Sequence, residues 1–104
     1  MTHPQLFDVV ELLVNIPEYD QLIGAQGTTV ERYDNENFEV EFANETGETT
    51  ALCTLSSRQF IVVWQSATQQ WLPAVERVAS ILKQLPESKQ EEVLNYARSV
   101  YQKT

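Results

Sequence analysis

A chain of 104 residues with 15 acids against 7 Lys and Arg, net −8, has room for one compact domain and an appendage, but not for two domains of ordinary size. One cysteine, Cys53, and one histidine, His3, far apart in the sequence, exclude an internal disulfide and a zinc cluster, so neither metal nor cofactor is expected. No apolar run approaches the roughly 20 residues of a membrane span, and Met1 to Gln5 lack the basic start and apolar stretch of a secretory signal, so the expected location is the cytoplasm.

The segment Phe7-Asp8-Val9-Val10-Glu11-Leu12-Leu13-Val14 is rich in β-formers. It is bounded by Pro4 and by Asn15-Ile16-Pro17, which predicts a first strand over 7–14. Residues 18–27 carry Gly24 and Gly27 without a sustained period, and predict a long loop pinned over the sheet by Tyr19, Leu22 and Ile23. Thr28 to Tyr33 is a β-branched run stopped by the polar turn Asp34-Asn35-Glu36-Asn37, giving a second strand. Phe38-Glu39-Val40-Glu41-Phe42 alternates strictly, so the two aromatics and the valine share a core face and both glutamates a wet one. Asn44-Glu45-Thr46-Gly47 supplies a turn whose glycine can take positive φ, as a bulged hairpin requires. Strand four runs from Glu48 to Leu55 and strand five from Gln59 to Trp64. Five short strands with tight turns predict a small closed or half-closed antiparallel barrel, because closure hides the edges of so small a sheet.

After Trp64 the period changes, and residues 65–70 read as a polar linker. Trp71, Val75, Val78 and Leu82 recur at offsets of four, three and four, an amphipathic helix with Pro73 in its first turn and an end at Leu85-Pro86. Pro86-Glu87-Ser88 opens a second helix with acids at the favoured end and a stripe of Val93, Ala97, Val100 and Tyr101. The expected organisation is α+β: a five-stranded barrel over 1–64, a linker over 65–70 and a helical hairpin over 71–104.

Charge is divided unevenly. Residues 1–64 hold eleven acids against Arg32 and Arg58, a net of −9, while residues 65–104 hold four acids against five bases, a net of +1. Phosphate backbones are bound by neutralising them with Lys and Arg, so the first half repels nucleic acid and steers basic partners inward. No nucleophile, base and orienting group converge in the sequence, so no catalytic residue is named and no enzyme is expected. His3 sits in a terminus, Cys53 reads as a small buried side chain, and Glu39 with Glu41 reads as a solvated strand face rather than a paired-carboxylate or calcium site. Trp64 and Trp71 are either binding anchors, or one closes the barrel while the other docks the hairpin.

The ordered string Phe7-Asp8-Val9-Val10, Ile16-Pro17, Gly27-Thr28, Val30-Glu31, Phe38-Glu39-Val40-Glu41-Phe42, Gly47-Glu48-Thr49 and Thr54-Leu55 resembles the bacterial and cyanobacterial family called domain of unknown function 4926, over residues 6–64. Thr29 stands where the family pattern has a second valine after Gly-Thr. The resemblance implies an SH3-like small barrel, commonly a short stand-alone protein, with some members beside toxin-like genes. Ile81 to Leu94, around Leu85-Pro86-Glu87, is similar to the helical stretch of the antitoxin-like domain of unknown function 2281. The function expected is a protein-interaction module, antitoxin-like or regulatory, that receives a basic protein partner. Its candidate surface is Glu39, Glu41, Trp64, Trp71, Val75, Val78, Leu82, Val93, Ala97 and Tyr101, and self-association through the helices is expected as well. The alternative is a nucleic-acid-binding barrel that stacks bases on Tyr33, Phe60 or Trp64.

Overall fold

The computed structural model describes residues 3–104. Six strands, β1 (Val9–Leu12), β2 (Gln26–Arg32), β3 (Asn37–Ala43), β4 (Thr49–Ser56), β5 (Phe60–Gln65) and β6 (Gln70–Trp71), are followed by helices α1 (Ala74–Leu82) and α2 (Glu87–Gln102). The strands form one open antiparallel sheet in the order β4-β3-β2-β1-β5-β6. Its class, α+β, agrees with the sequence reading, but there is one strand more than expected and the sheet keeps two edges, β4 and β6.

The main core lies on one side of the sheet, and on β5, where α1 lies, Ile61 and Val63 of the opposite face are buried as well. Val10 and Leu12 of β1, Phe38, Val40 and Phe42 of β3, Cys53 and Leu55 of β4, and Phe60 and Val62 of β5 bury together, with Ile16 joining from the loop. Alternation on β3 is as the sequence requires, and Phe38 meets Phe60 edge to face at 5.9 Å between ring centres. Gly47 has φ 85° in the β3–β4 turn, as expected, and the Asn44 side chain accepts from the Thr46 and Glu48 amides there.

Three expectations fail for local reasons. The first strand does not reach back to residue 7, because Phe7 takes φ 69° in a turn held by the Asp8 carboxylate on the Gln5 amide. Tyr19, Leu22 and Ile23 do not pin the loop; all three are exposed. Buried Ile16, its pairing with Gln21, and the Asn15 side chain accepting from the Ile23 amide at 2.8 Å do that work. Beyond Trp64, residues 65–70 include a tight turn with Gln69 at φ 55°, and Gln70–Trp71 pairs back onto β5, so Trp71 belongs to the sheet and not to a helix.

Nor do the helices form a packed hairpin. Pro73 caps α1 and Pro86 caps α2, each with the extended backbone that precedes a helix. α1 lies on β5, whereas α2 packs along no other element and buries no residue. Gln90 ties the two together from its side chain, donating to the carbonyls of Leu82 (2.8 Å), which also accepts from the Leu85 amide, and of Leu85 (3.2 Å). At about 1.5 Å per residue α2 is about 24 Å long. Its projection accounts for a radius of gyration of 14.8 Å, against about 13 Å for a compact chain of this length.

Candidate functional site

Two surfaces stand out, and each is built by an element whose two sides differ in chemistry. The first is the outer face of β2, β3 and β4. Because β3 turns Phe38, Val40 and Phe42 inward, Glu39 and Glu41 point outward, and the register sets Glu39 directly between Glu31 on β2 and Thr54 on β4. Thr54 donates its hydroxyl to Glu39 at 2.9 Å and Thr49 donates to Glu41 at 2.7 Å, so both carboxylates are held in place. Leu52, half exposed, lies across from Glu41.

Among the described residues no cation pairs with these carboxylates. Arg32 follows Glu31 in β2, yet its guanidinium is turned to the next hairpin turn, where it donates to the Asp34 carbonyl and the Asn35 side chain. Among the described residues the one ion pair is Lys89 with Glu92, on α2. Carboxylates directly opposite each other on neighbouring strands repel, at a cost of about 0.2–1 kcal/mol. Partial burial, then the charges of Glu39 and Glu31, push the neighbouring Tyr33 hydroxyl up from its ordinary value.

The second surface is α1. Its covered side mixes polar and apolar residues, while Val75 and Val78 are left outside. Ser80 is buried, Arg77, Ile81 and Gln84 are half buried, and Gln84 reaches the carbonyls of Ser57 (3.3 Å) and Phe60 (3.5 Å) on the β4–β5 side. The Ser80 hydroxyl satisfies itself on the Glu76 carbonyl. The side of α1 toward the sheet is therefore mixed, with Ser80, Ile81 and Gln84 on it. Val75 is 74% exposed and Val78 46%, while Leu82 is half buried. Trp71, 62% exposed, continues this surface from β6, directly across from half-buried Trp64.

The remaining sequence-predicted residues fall in separate places. On α2, Val93 is half buried while Ala97 and Tyr101 are exposed, and no contact joins them to the acidic face. Tyr33 is exposed, but Phe60, the second candidate for base stacking, is 1% exposed inside the core and cannot offer a ring to a ligand. Cys53 is buried, and burial, followed by the charges of Glu39 and Glu18, pushes its thiol up, away from the reactive thiolate. Among the described residues no three His, Cys, Asp or Glu side chains gather as metal ligands, and no helix is long and apolar enough to cross a membrane. Sequence reasoning missed Glu31 and Leu52. Glu31 reaches the acidic face only because a register shift between Thr29 and Glu31 turns it outward, and no periodicity announces such a bulge.

No curated protein and no solved structure matches the chain. A family model described as Domain of unknown function (DUF4926) matches residues 6–62, which takes in β1 to β5 up to Val62, the core and the acidic face, and leaves both helices outside. Because that match covers more than half of its length, this chain belongs to the DUF4926 family.

Proposed function

We propose that this chain is a non-enzymatic protein-interaction module, built on an SH3-like small barrel, that receives a basic partner protein. The order β4-β3-β2-β1-β5 supports the barrel reading, since β1 pairs with both β2 and β5 and the 3-10 turn Pro17–Tyr19 lies against β4, across the sheet from its own neighbours. The observation that carries the interaction reading is the orientation of α1. With Val75 and Val78 exposed while Ser80, Ile81 and Gln84 take the covered side, the helix leaves apolar area uncovered, and covering it is worth about 25 cal/mol per Å². A separate face, on β2, β3 and β4, carries carboxylates that pair with no cation among the described residues, and a basic surface would neutralise it. Such a partner gains on-rate from the charge and affinity from the apolar contact. An antitoxin-like or regulatory role in a two-gene pair fits this reading. The nucleic-acid alternative is disfavoured by the same face, because Tyr33 stands among the acids that repel phosphate.

The test removes charge but keeps the hydrogen bonds. With Glu39→Gln and Glu41→Gln together, Thr54 and Thr49 still have an oxygen to donate to. Immobilised wild-type chain is expected to retain a basic protein from native lysate at low salt and to release it as salt rises; the double variant should release it at markedly lower salt. Recovery of nothing but the chain itself at every salt concentration, or identical release from both, contradicts the proposal.

A further inference from the structure

We infer that the cavity between the β2–β3 turn, the β4–β5 turn and the end of α1 binds a small organic phosphate monoester. Its volume is about 360 Å³, inside the roughly 300–1,000 Å³ range of small-molecule sites. The floor is apolar, since Phe60, Ile61 and Val62 of β5 line it and all three are buried. The rim is cationic, with exposed Arg58 and Lys83 on it and His3 beside them. A second cavity, of about 420 Å³, shares His3, Pro4 and Asn35 with the first and is lined by Arg32. Residues 1–64 hold eleven acids and only two bases, yet both bases, Arg32 and Arg58, and the chain's one histidine line these two cavities. On so acidic a half, that gathering sets one place apart as ground for an anion.

The walls are fastened to one another. The Ser57 amide donates to the Glu36 carbonyl at 2.8 Å and joins the two turns, while the Gln84 side chain, on the carbonyls of Ser57 and Phe60, joins the end of α1 to them. A site already held in shape costs little ordering on binding. Its charges are also free. Glu36 is the one acid among the residues lining the first cavity, and neither Arg58 nor Lys83 pairs with it or with any other carboxylate among the described residues. The C-terminal carbonyls of α1, whose negative dipole would oppose an anion, already accept: Ala79 from the Lys83 amide, Ile81 from the Gln84 amide, and Leu82 from the Leu85 amide and the Gln90 side chain. The number of cations selects the ligand. A phosphate monoester carries about −1.5 to −2 at pH 7, which matches the two permanent cations of the rim, whereas a carboxylate needs only one. Arg58 offers a planar fork and Lys83 a point charge, both suited to phosphoryl oxygens, and the apolar floor takes the organic body. This site is independent of whichever protein the acidic face receives.

Phenyl phosphate is the probe, titrated at low salt into the isotope-labelled full chain while backbone amide shifts are followed by NMR. Saturable shifts are expected at Ser57, Arg58, Lys83 and Gln84, with a dissociation constant below about 1 mM. Arg58→Gln and Lys83→Gln should each raise that constant about tenfold, the loss of one charged hydrogen bond. Both side chains are exposed, so the fold is kept, which the unchanged remainder of the amide spectrum verifies. Lys89→Gln, a base on α2 outside the cavity, should leave binding as it is. Inorganic phosphate, without the apolar body, and benzoate, without the second charge, should each bind at least about tenfold more weakly. A short single-stranded DNA with a terminal phosphate should also bind more weakly than phenyl phosphate, because the acidic surface repels its backbone. No saturable shift up to about 10 mM, a rim variant that binds like wild type, a Lys89→Gln chain weakened as much as Arg58→Gln, or inorganic phosphate, benzoate or the DNA binding as tightly as phenyl phosphate each overturns the inference.

Discussion

Gly27→Ala is expected to destabilise the fold by about 2–3 kcal/mol, the range of an overpacked core, and to lower the melting temperature by about 10–20 °C. The strand β2 runs so close to β3 here that a Cβ on residue 27 would stand 2.7 Å from Val40 Cγ1, 2.9 Å from the Glu41 carbonyl oxygen and 2.9 Å from Phe42 Cε1. The Val40 and Phe42 side chains are in the core and Glu41 offers backbone, so no flexible side-chain end can swing away. Gly47 is the control. Its surroundings are open and only its φ of 85° opposes a side chain, so Gly47→Ala should cost about 1 kcal/mol. Urea unfolding of both variants decides the point: a Gly27→Ala chain no less stable than Gly47→Ala would mean that the β2–β3 approach is not tight.

Asp8→Ala is the second large effect, expected to cost about 2–3 kcal/mol, the penalty for leaving buried donors without an acceptor. Asp8 is 1% exposed, and its carboxylate accepts from the Gln5 amide (2.9 Å), the Ser66 amide (2.9 Å) and the Ser66 hydroxyl (3.2 Å). One side chain therefore ties the N-terminal segment to the β5–β6 turn, and that turn sets where α1 begins. Its carbonyl accepts from the Thr29 amide (3.0 Å) and hydroxyl (3.1 Å), and the same hydroxyl reaches the Gln5 carbonyl at 2.6 Å. Asp8→Asn keeps one acceptor oxygen but sets an amide against an N–H donor, so its stability should fall between the alanine variant and wild type. Equal stability of all three chains would remove Asp8 from any fastening role.

These two residues illustrate what a single sequence does and does not carry. Strict alternation in β3 places Phe38, Val40 and Phe42 in the core because period and burial are the same information in a half-wet strand. Asp8, inside a β-forming run, gives no periodic signal of its partners, which lie 58 residues away at Ser66. Thr29 is fully buried, and its hydroxyl is satisfied by two carbonyls, a burial understandable only once those carbonyls are in place. The helical stripe of α1 is periodic as expected, but only its Leu82 end is partly covered. A hydrophobic period announces that one side will be covered, but not by which molecule, and here the chain covers a side that holds Ser80, Ile81 and Gln84 and leaves Val75 and Val78 outside. Trp71 was drawn into that stripe by its spacing, although the pairing of Trp71 with Trp64 places it on the sheet edge.

Whether the outward face of α1 holds a protein is decided most directly by the combined substitution Val75→Ser and Val78→Ser, compared with wild type in capture from native lysate on immobilised chain, with melting temperature measured on the same preparations. Both valines are exposed, so melting should fall by no more than about 4–8 °C, as two exposed substitutions together usually shift stability by no more than about 1 kcal/mol. The captured basic protein should be lost. A variant that unfolds, or a folded variant that captures the same protein in the same yield, would contradict the account.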